Sequence, residues 1–346
     1  MFYKRKRTTI SKIMMGISLA AGAAIIGTGV YAGYLYKKTD DAIQRIAAPA
    51  AAAAQPAAAP EKQEEPVSIK PMIFLLAGVD SRAGGGGVMN TDVLMLVSFN
   101  PDTQSASFLS LPRDLLLTPE SLPAHKANYY YAHYYIKDKA SAISNTKDFF
   151  SNLLGLPINH MVVVNFNMLQ ETVDLLGGLT IDVDMNMKYR DTADGTNIDL
   201  KKGLQQLDGK QVLDFVRYRK SNQGTGESSD FERNDRQQQV IKQILDKMGN
   251  LQGMSHWADI LDIIGENVKT DIPRADLQQW LFNFPKLKPQ LIHSLQVGSH
   301  WKSPYVYMDK DDLGQALTAL VNEAEAGTGS SINLENVGTA DYSRDE

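Results

Sequence analysis

The stretch that most constrains the fold of this chain lies between Ile73 and Asp114. It contains three short apolar runs, at Ile73–Val79, Val93–Phe99 and Ala106–Leu111. Short apolar runs that are bounded by Gly, Asn and Pro are typical of strands buried in a sheet rather than of helices. We therefore predict three buried strands in this stretch.

Charged residues stand at the ends of these predicted strands. Asp80 and Arg82 follow the first run, Asp92 precedes the second, and Arg113 and Asp114 follow the third. When neighbouring strands pair, such ends meet at one edge of the sheet. We therefore expect carboxylate and guanidinium groups to converge at one edge of an otherwise apolar sheet.

Beyond this stretch the chain alternates between predicted strands and helices. The predicted helices cover residues 140–154, 167–176, 207–215, 230–248, 275–282 and 311–326, and the predicted strands cover 161–166, 180–183 and 291–297. Residues 184–203 are polar and are predicted to form a surface excursion. The alternation predicts an α/β protein with a mixed central sheet flanked by helices.

The N-terminus predicts a single-pass protein of the cell membrane. Residues 1–12 are basic and residues 13–36 carry no charge. As a helix, the uncharged segment would be about 36 Å long, which is sufficient to cross a bilayer. The positive-inside rule places the basic segment in the cytoplasm and the rest of the chain outside the cell. A cleaved signal peptide that ends near Ala24 is the alternative.

The remaining boundaries follow from composition. Residues 37–66 are rich in Ala and Pro and predict an extended linker. Residues 67–326 would then form one extracellular domain, and the polar residues 327–346 a flexible tail. The absence of cysteine excludes disulfides and thiolate metal sites, and the net charge of −5 argues against a nucleic-acid-binding protein.

Two groups of arginines are candidates for binding an anion. Arg217 and Arg219 would share one face of an extended segment, and their planar donor groups suit phosphate, although a solvated surface cluster is the alternative. Arg233 projects along the apolar stripe that Val240–Met248 defines on a predicted helix, with Gln237 in the same stripe. Because an unpaired buried charge is unfavourable, Arg233 needs an anionic partner. That partner is either Asp230, one turn earlier, or a substrate phosphate.

Several segments, taken in order, resemble the LytR–CpsA–Psr family between Ile73 and Met248. They are GVDSR, TDVLMLVSFNP, LSLPRD, HKAN, VNFNMLQETVDLLGGLTIDV, LDGKQVLDFVRYRK and DFERNDRQQQV. The resemblance implies a membrane-anchored phosphotransferase that attaches an anionic glycopolymer to peptidoglycan from a polyprenyl-pyrophosphate carrier. The polymer stays open between teichoic acid, capsule and another glycan.

The resemblance also implies roles for individual residues. The implied catalytic residues are Asp80, Asp92, Arg113 and Arg219. Asp80 and Asp92 would also hold Mg²⁺ (or Mn²⁺), and Asp114 and Asp230 would support the catalytic residues. The residues that would bind the pyrophosphate are Arg82, Lys126, Asn128, Arg217, Arg219, Arg233, Arg236 and Gln237. We expect the lipid in an apolar slot lined by Val162–Leu176 and Val240–Met248. The implied partners are the lipid-linked polymer, peptidoglycan and the cytoplasmic membrane. The alternatives are a polyprenyl-pyrophosphatase, which uses water as acceptor, and a non-catalytic wall-binding or regulatory protein.

Overall fold

The computed structural model describes residues 33–47, 69–79, 90–192, 195–228, 230–248, 256–324 and 332–340. The strands are β1 (Met72–Val79), β2 (Thr91–Asn100), β3 (Ser105–Ser110), β4 (Leu116–Leu117), β5 (His125–Lys126), β6 (Ile158–Asn165), β7 (Leu179–Val183), β8 (Met187–Arg190), β9 (Asn197–Leu200), β10 (Gly203–Leu207), β11 (Val268–Thr270), β12 (Leu291–Leu295), β13 (Ser299–Lys302), β14 (Tyr305–Asp309) and β15 (Thr339–Ala340). The helices are α1 (33–46), α2 (Tyr129–Lys137), α3 (Ala142–Leu154), α4 (Phe166–Leu175), α5 (Gly209–Arg217), α6 (Asp230–Met248), α7 (Trp257–Asn267), α8 (Arg274–Leu287) and α9 (Lys310–Glu323).

The centre of the domain is a six-stranded sheet with the order β11-β6-β1-β2-β3-β12. β1 is antiparallel to β2 and parallel to β6, and β3 is antiparallel to β2 and parallel to β12. The sheet is therefore mixed, as the sequence predicted. The three strands predicted between Ile73 and Asp114 are confirmed, with ends that differ by one or two residues.

Both faces of this sheet are buried under helices. Along β1, Ile73 and Leu75 pack into one hydrophobic cluster with residues of α2, α3 and α9. Phe74, on the opposite face, packs into a second cluster that contains Ile43 of α1 and Leu261 of α7. Strands that are covered on both sides need apolar residues at every position, which explains the uninterrupted apolar runs in the sequence.

A third cluster forms a lobe from α4, α5, α6 and β7–β10. In this lobe β8 and β9 pair as an antiparallel hairpin. Met187, Ile198 and Leu200 of the hairpin are buried beside Val212. The prediction of a polar surface excursion at residues 184–203 is therefore wrong, because alternate side chains of the hairpin pack into the lobe.

The helix α1 is part of the folded domain. Ile43 is fully buried in the second cluster. Lys38 and Arg45 donate to the carboxylate of Asp262 on α7 at 2.5 and 2.8 Å, and these hydrogen bonds lower the pKa of Asp262. The linker prediction is therefore wrong for residues 37–47, since an apolar stripe and ion pairs hold this segment against the domain.

The predicted membrane anchor is only partly described. Residues 33–36 are helical, and residues 13–32 lie outside the described part of the chain. Within the described ranges, none of the helices combines the length and the apolar character that crossing a bilayer requires. The tyrosines Tyr34 and Tyr36 are both exposed at the start of α1.

Part of the predicted flexible tail is also packed. Val337 is buried, and β15 pairs with β14. The backbone N–H of Asn333 donates to the Leu154 carbonyl at 3.0 Å, and that of Gly338 donates to the Leu116 carbonyl at 2.7 Å. The tail prediction is therefore wrong for residues 332–340, which backbone hydrogen bonds and a buried valine fix to the domain.

Candidate functional site

A cavity of about 570 Å³ opens between the edge of the sheet and the lobe. Its polar and charged lining is Asp92, Ser110, Arg113, Asp114, Tyr189, Thr196, Arg217, Tyr218, Arg219, Lys220, Arg233 and Gln237. Five of these side chains are cationic and two are acidic. A concave surface with an excess of one charge concentrates ligands of the opposite charge, so this cavity attracts anions.

The sheet contributes a cluster of paired charges to the cavity. Because β2 and β3 are antiparallel, the start of β2 lies beside the residues that follow β3. Arg113 Nη1 lies 3.0 Å from Asp92 Oδ1, and Arg113 Nε lies 3.6 Å from Asp114 Oδ2. The predicted convergence of strand ends is confirmed for these three residues, while Asp80 and Arg82 lie outside the described residues.

Backbone hydrogen bonds hold this cluster in place. The Asn128 N–H donates to the Arg113 carbonyl at 3.1 Å, and the Val306 N–H donates to the Asp114 carbonyl at 2.9 Å. Lys126 Nζ donates to Asp114 Oδ1 at 2.7 Å. Neither Lys126 nor Asn128, both predicted pyrophosphate ligands, belongs to the cavity lining. Both residues instead contact residues of the lining, and they hold Arg113 and Asp114 in position.

The helix α5 carries the next two arginines to the cavity. A capping box starts this helix: the Gln211 N–H donates to Asp208 Oδ1 at 2.8 Å, and the Asp208 N–H donates to Gln211 Oε1 at 3.0 Å. The helix continues to Arg217, so the extended segment predicted here begins only after that residue. Arg217 and Arg219 nevertheless both line the cavity, on either side of the buried Tyr218.

The helix α6 places its arginines differently from the sequence prediction. Arg233 is half-buried and lines the cavity together with Gln237. Arg236, a predicted pyrophosphate ligand, is 3% exposed and lies with Val240 on the most buried line of the helix. The side chain of Asp230, its predicted supporting neighbour, lies outside the described residues.

Arg236 makes contacts within the lobe rather than with the cavity. Its Nε and Nη2 donate to the two carboxylate oxygens of Asp184 at 2.8 and 2.6 Å. Its Nη1 donates to Ser228 Oγ at 2.7 Å and to the Tyr218 carbonyl at 3.3 Å. Arg236 is absent from the cavity lining, so the structure gives this predicted pyrophosphate ligand a supporting position behind the Arg217–Arg219 segment.

The stripes predicted to line a lipid slot do not line this cavity. Val162 packs against the second cluster under the sheet, and Val240 packs inside the lobe. The apolar lining of the cavity comes instead from Val93, Leu94, Leu111, Pro112, Ile198, Val216 and Val306. These side chains belong to the sheet edge, the β8–β9 hairpin, α5 and β14.

Sequence reasoning missed the contribution of the β8–β9 hairpin. Tyr189, Thr196 and Ile198 all line the cavity. The signal was present in the sequence: apolar residues alternate with polar ones at Met187 and Tyr189, and again at Ile198 and Leu200. A period of two is typical of a half-buried strand.

One of the two predicted metal ligands is described at the cavity. Within the described ranges, His, Asp and Glu side chains do not gather into groups of three or more. The carboxylates that line the cavity are Asp92 and Asp114. Carboxylate oxygens together with substrate phosphates are what Mg²⁺ prefers, so Asp92 fits the predicted site. Asp80, the second predicted ligand, lies outside the described residues.

An α/β domain whose mixed sheet carries an arginine-rich cavity at its strand ends defines a protein built to bind an anion. The model of the LytR_cpsA_psr family matches residues 42–322, and the chain belongs to this family. The match begins within α1, in agreement with the packing of that helix on the domain.

Relatives of known name support this assignment. The chain is 29% identical to the polyisoprenyl-teichoic acid–peptidoglycan teichoic acid transferase TagU of Bacillus licheniformis, over 89% of this chain and 93% of the relative. It is 30% identical to TagU of Bacillus subtilis, over 78% and 79%. The crystal structure of TagV from B. subtilis matches with a TM-score of 0.54 and 25% identity, over 74% of this chain and 98% of that one. The protein gbs0355 of Streptococcus agalactiae shares the fold, with a TM-score of 0.60, 22% identity and coverage of 79% and 93%.

Proposed function

We propose that this protein transfers an anionic glycopolymer, together with its linking phosphate, from a polyprenyl-pyrophosphate carrier to peptidoglycan. The observation that carries the proposal is the cavity, where Arg217, Arg219 and Arg233 face the Asp92–Arg113 pair. Membership of the family, and relatives that are named teichoic acid transferases, support the same reaction. They also favour teichoic acid over a capsular polymer.

The arginines bind the pyrophosphate in this proposal. A guanidinium group presents a planar fork of donors that matches phosphate oxygens, and several such groups can neutralise a diphosphate. A cavity of about 570 Å³ is of the size that holds a small ligand. It can therefore take the diphosphate and an adjoining sugar, while the lipid chain and the polymer extend beyond it.

The reaction is a displacement at phosphorus. A peptidoglycan hydroxyl attacks the phosphate that carries the polymer, a new P–O bond forms, and the P–O bond to the bridging oxygen breaks. Asp92 or Asp80 accepts the proton of the hydroxyl, and polyprenyl phosphate leaves. Arg113 holds the Asp92 carboxylate in place, and the arginines neutralise the leaving phosphate. Mg²⁺ or Mn²⁺ held by Asp80 and Asp92 would supply further charge neutralisation.

A reconstituted transfer reaction tests this proposal. We expect the purified full-length chain, in detergent, to move labelled polymer from its lipid carrier into peptidoglycan and to release polyprenyl phosphate in equal amount. EDTA should stop the reaction and Mg²⁺ should restore it. Release of the lipid phosphate without a labelled wall product would identify a pyrophosphatase. If the donor is not turned over at all, the result would favour a non-catalytic wall-binding or regulatory protein.

The proposed location is the outer face of the cytoplasmic membrane. The basic residues 1–12 and the uncharged residues 13–36 predict a retained anchor with an external domain. Protease added to intact protoplasts should therefore remove the domain that begins at α1. Protection of that domain would contradict this topology, and a mature N-terminus near Ala24 would show cleavage instead of anchoring.

A further inference from the structure

The hairpin formed by β13 and β14 carries an exposed tryptophan beside the cavity. Trp301 on β13 is 50% exposed, whereas Trp257 and Trp280, the other tryptophans of the chain, are half-buried. Trp280, for example, packs edge-on against Phe74 with ring centroids 5.2 Å apart. A tryptophan is usually well buried, so an exposed indole on an edge strand is a candidate binding group.

The register of the hairpin places this indole opposite a residue that lines the cavity. Trp301 lies directly opposite Val306 in the antiparallel pair. Directly opposed residues project from the same face of a sheet. Val306 lines the cavity, and its N–H also donates to the Asp114 carbonyl at 2.9 Å. Trp301 therefore lies next to a residue of the cavity lining, on the same face of the hairpin.

A cation holds the indole in place. Lys126 Nζ lies 5.7 Å from the centroid of the Trp301 ring. The same ammonium group donates to Asp114 Oδ1 at 2.7 Å, and Asp114 lines the cavity. An ammonium group at this distance from a Trp face is attracted to it. Lys126 thereby links the orientation of the exposed indole to the paired charges of the site.

We propose that Trp301 is the platform on which the acceptor glycan stacks, so that one sugar ring rests on the indole while its neighbour presents the attacking hydroxyl to the cavity. This inference rests on the proposed function and adds the acceptor site to it. One face of a pyranose ring consists largely of C–H groups, which pack on an aromatic face of similar size. Holding the acceptor beside the bound diphosphate raises the effective concentration of its hydroxyl.

The surroundings of Trp301 favour a glycan over a lipid surface. Its neighbours on β13 are the polar, exposed Ser299, His300 and Lys302. The other large apolar side chains that are exposed in the described structure lie on different elements: Tyr34, Tyr36, Ile136, Leu204 and Leu291. A surface that inserts into a bilayer presents several apolar side chains together. A single indole with polar neighbours matches one sugar ring.

Binding to purified peptidoglycan, measured by sedimentation of the full-length chain in detergent, tests this inference. We expect Trp301→Ala to weaken binding about threefold to tenfold, the loss that one aromatic stacking contact represents. Trp301→Tyr, which keeps an aromatic face, should retain most of the binding. The control is Leu204→Ala, which removes an apolar side chain that is 72% exposed on β10 and should bind as the parent protein does. Thermal melts of all three variants should match that of the parent.

Kinetics separate this inference from the proposed function. In the transfer reaction Trp301→Ala should raise KM for peptidoglycan and leave KM for the lipid-linked donor unchanged. Unaltered peptidoglycan binding and KM in Trp301→Ala, with normal transfer, would overturn the platform and leave the transferase intact. A parent protein that turns over no donor would overturn the transferase whatever the variant does. Loss of binding to anionic lipid vesicles with peptidoglycan binding unchanged would assign Trp301 to the membrane and also overturn the platform.

Discussion

Arg236→Met is expected to lower the free energy of unfolding by about 3 kcal/mol, because it breaks a bidentate ion pair whose arginine is buried. Asp184 would lose two hydrogen bonds, and Ser228 and the Tyr218 carbonyl would lose one each. Asp184 is itself 40% exposed, so water can solvate it again, and the loss stays near the lower end of the range for buried pairs. For a domain of this size the melting temperature should fall by about 6–12 °C.

The matched control for Arg236 is Lys242→Met on the same helix. Lys242 is exposed, and its replacement should change the melting temperature by a degree or less. Because Arg236 does not line the cavity, Arg236→Met should keep most of its transfer activity when it is assayed well below its melting temperature. A variant that melts like the parent protein while transfer collapses would instead support direct pyrophosphate binding by Arg236.

Arg217→Lys and Arg219→Lys are expected to reduce transfer about tenfold to a hundredfold each, with the fold intact. Lysine keeps the positive charge but lacks the planar fork that bonds two phosphate oxygens at once. One charge-assisted hydrogen bond is worth about 1.5–3 kcal/mol, and about 1.36 kcal/mol corresponds to a factor of ten in rate. The measurement is the transfer assay on each variant, paired with a thermal melt.

The control for these two substitutions is Arg190→Lys. Arg190 is an exposed arginine of the same lobe that does not line the cavity, so this change should leave both stability and transfer as they were. Unchanged transfer by both Arg217→Lys and Arg219→Lys would remove the phosphate clamp from the mechanism. A solvated surface cluster, the alternative left open by the sequence, would then explain these arginines.

Local sequence patterns were sufficient for five of the six strands of the central sheet and for much of the cavity edge; the short strand β11 was not predicted. The apolar runs from Ile73 to Leu111 predicted three strands, and their charged ends predicted that Asp92, Arg113 and Asp114 would meet. Helix periodicity predicted α6 with the bounds that the structure has. These features depend on the spacing of apolar residues and on which residues end a strand, and both are local properties of the chain.

Only the tertiary structure decided the partners that lie far apart in the sequence. It paired Arg236 with Asp184, 52 residues away. Arg236, predicted to bind the substrate, is therefore buried in the lobe behind the cavity. The tertiary structure also placed α1 against Asp262 and the segment around Val337 against β4, where composition had predicted a linker and a tail. The periodicity of side chains indicates which face of a helix or strand is apolar. It does not indicate which distant charged residue will contact a charge on that helix or strand. The burial of Arg236, the docking of α1 and the position of Trp301 beside the cavity were therefore set by packing between elements.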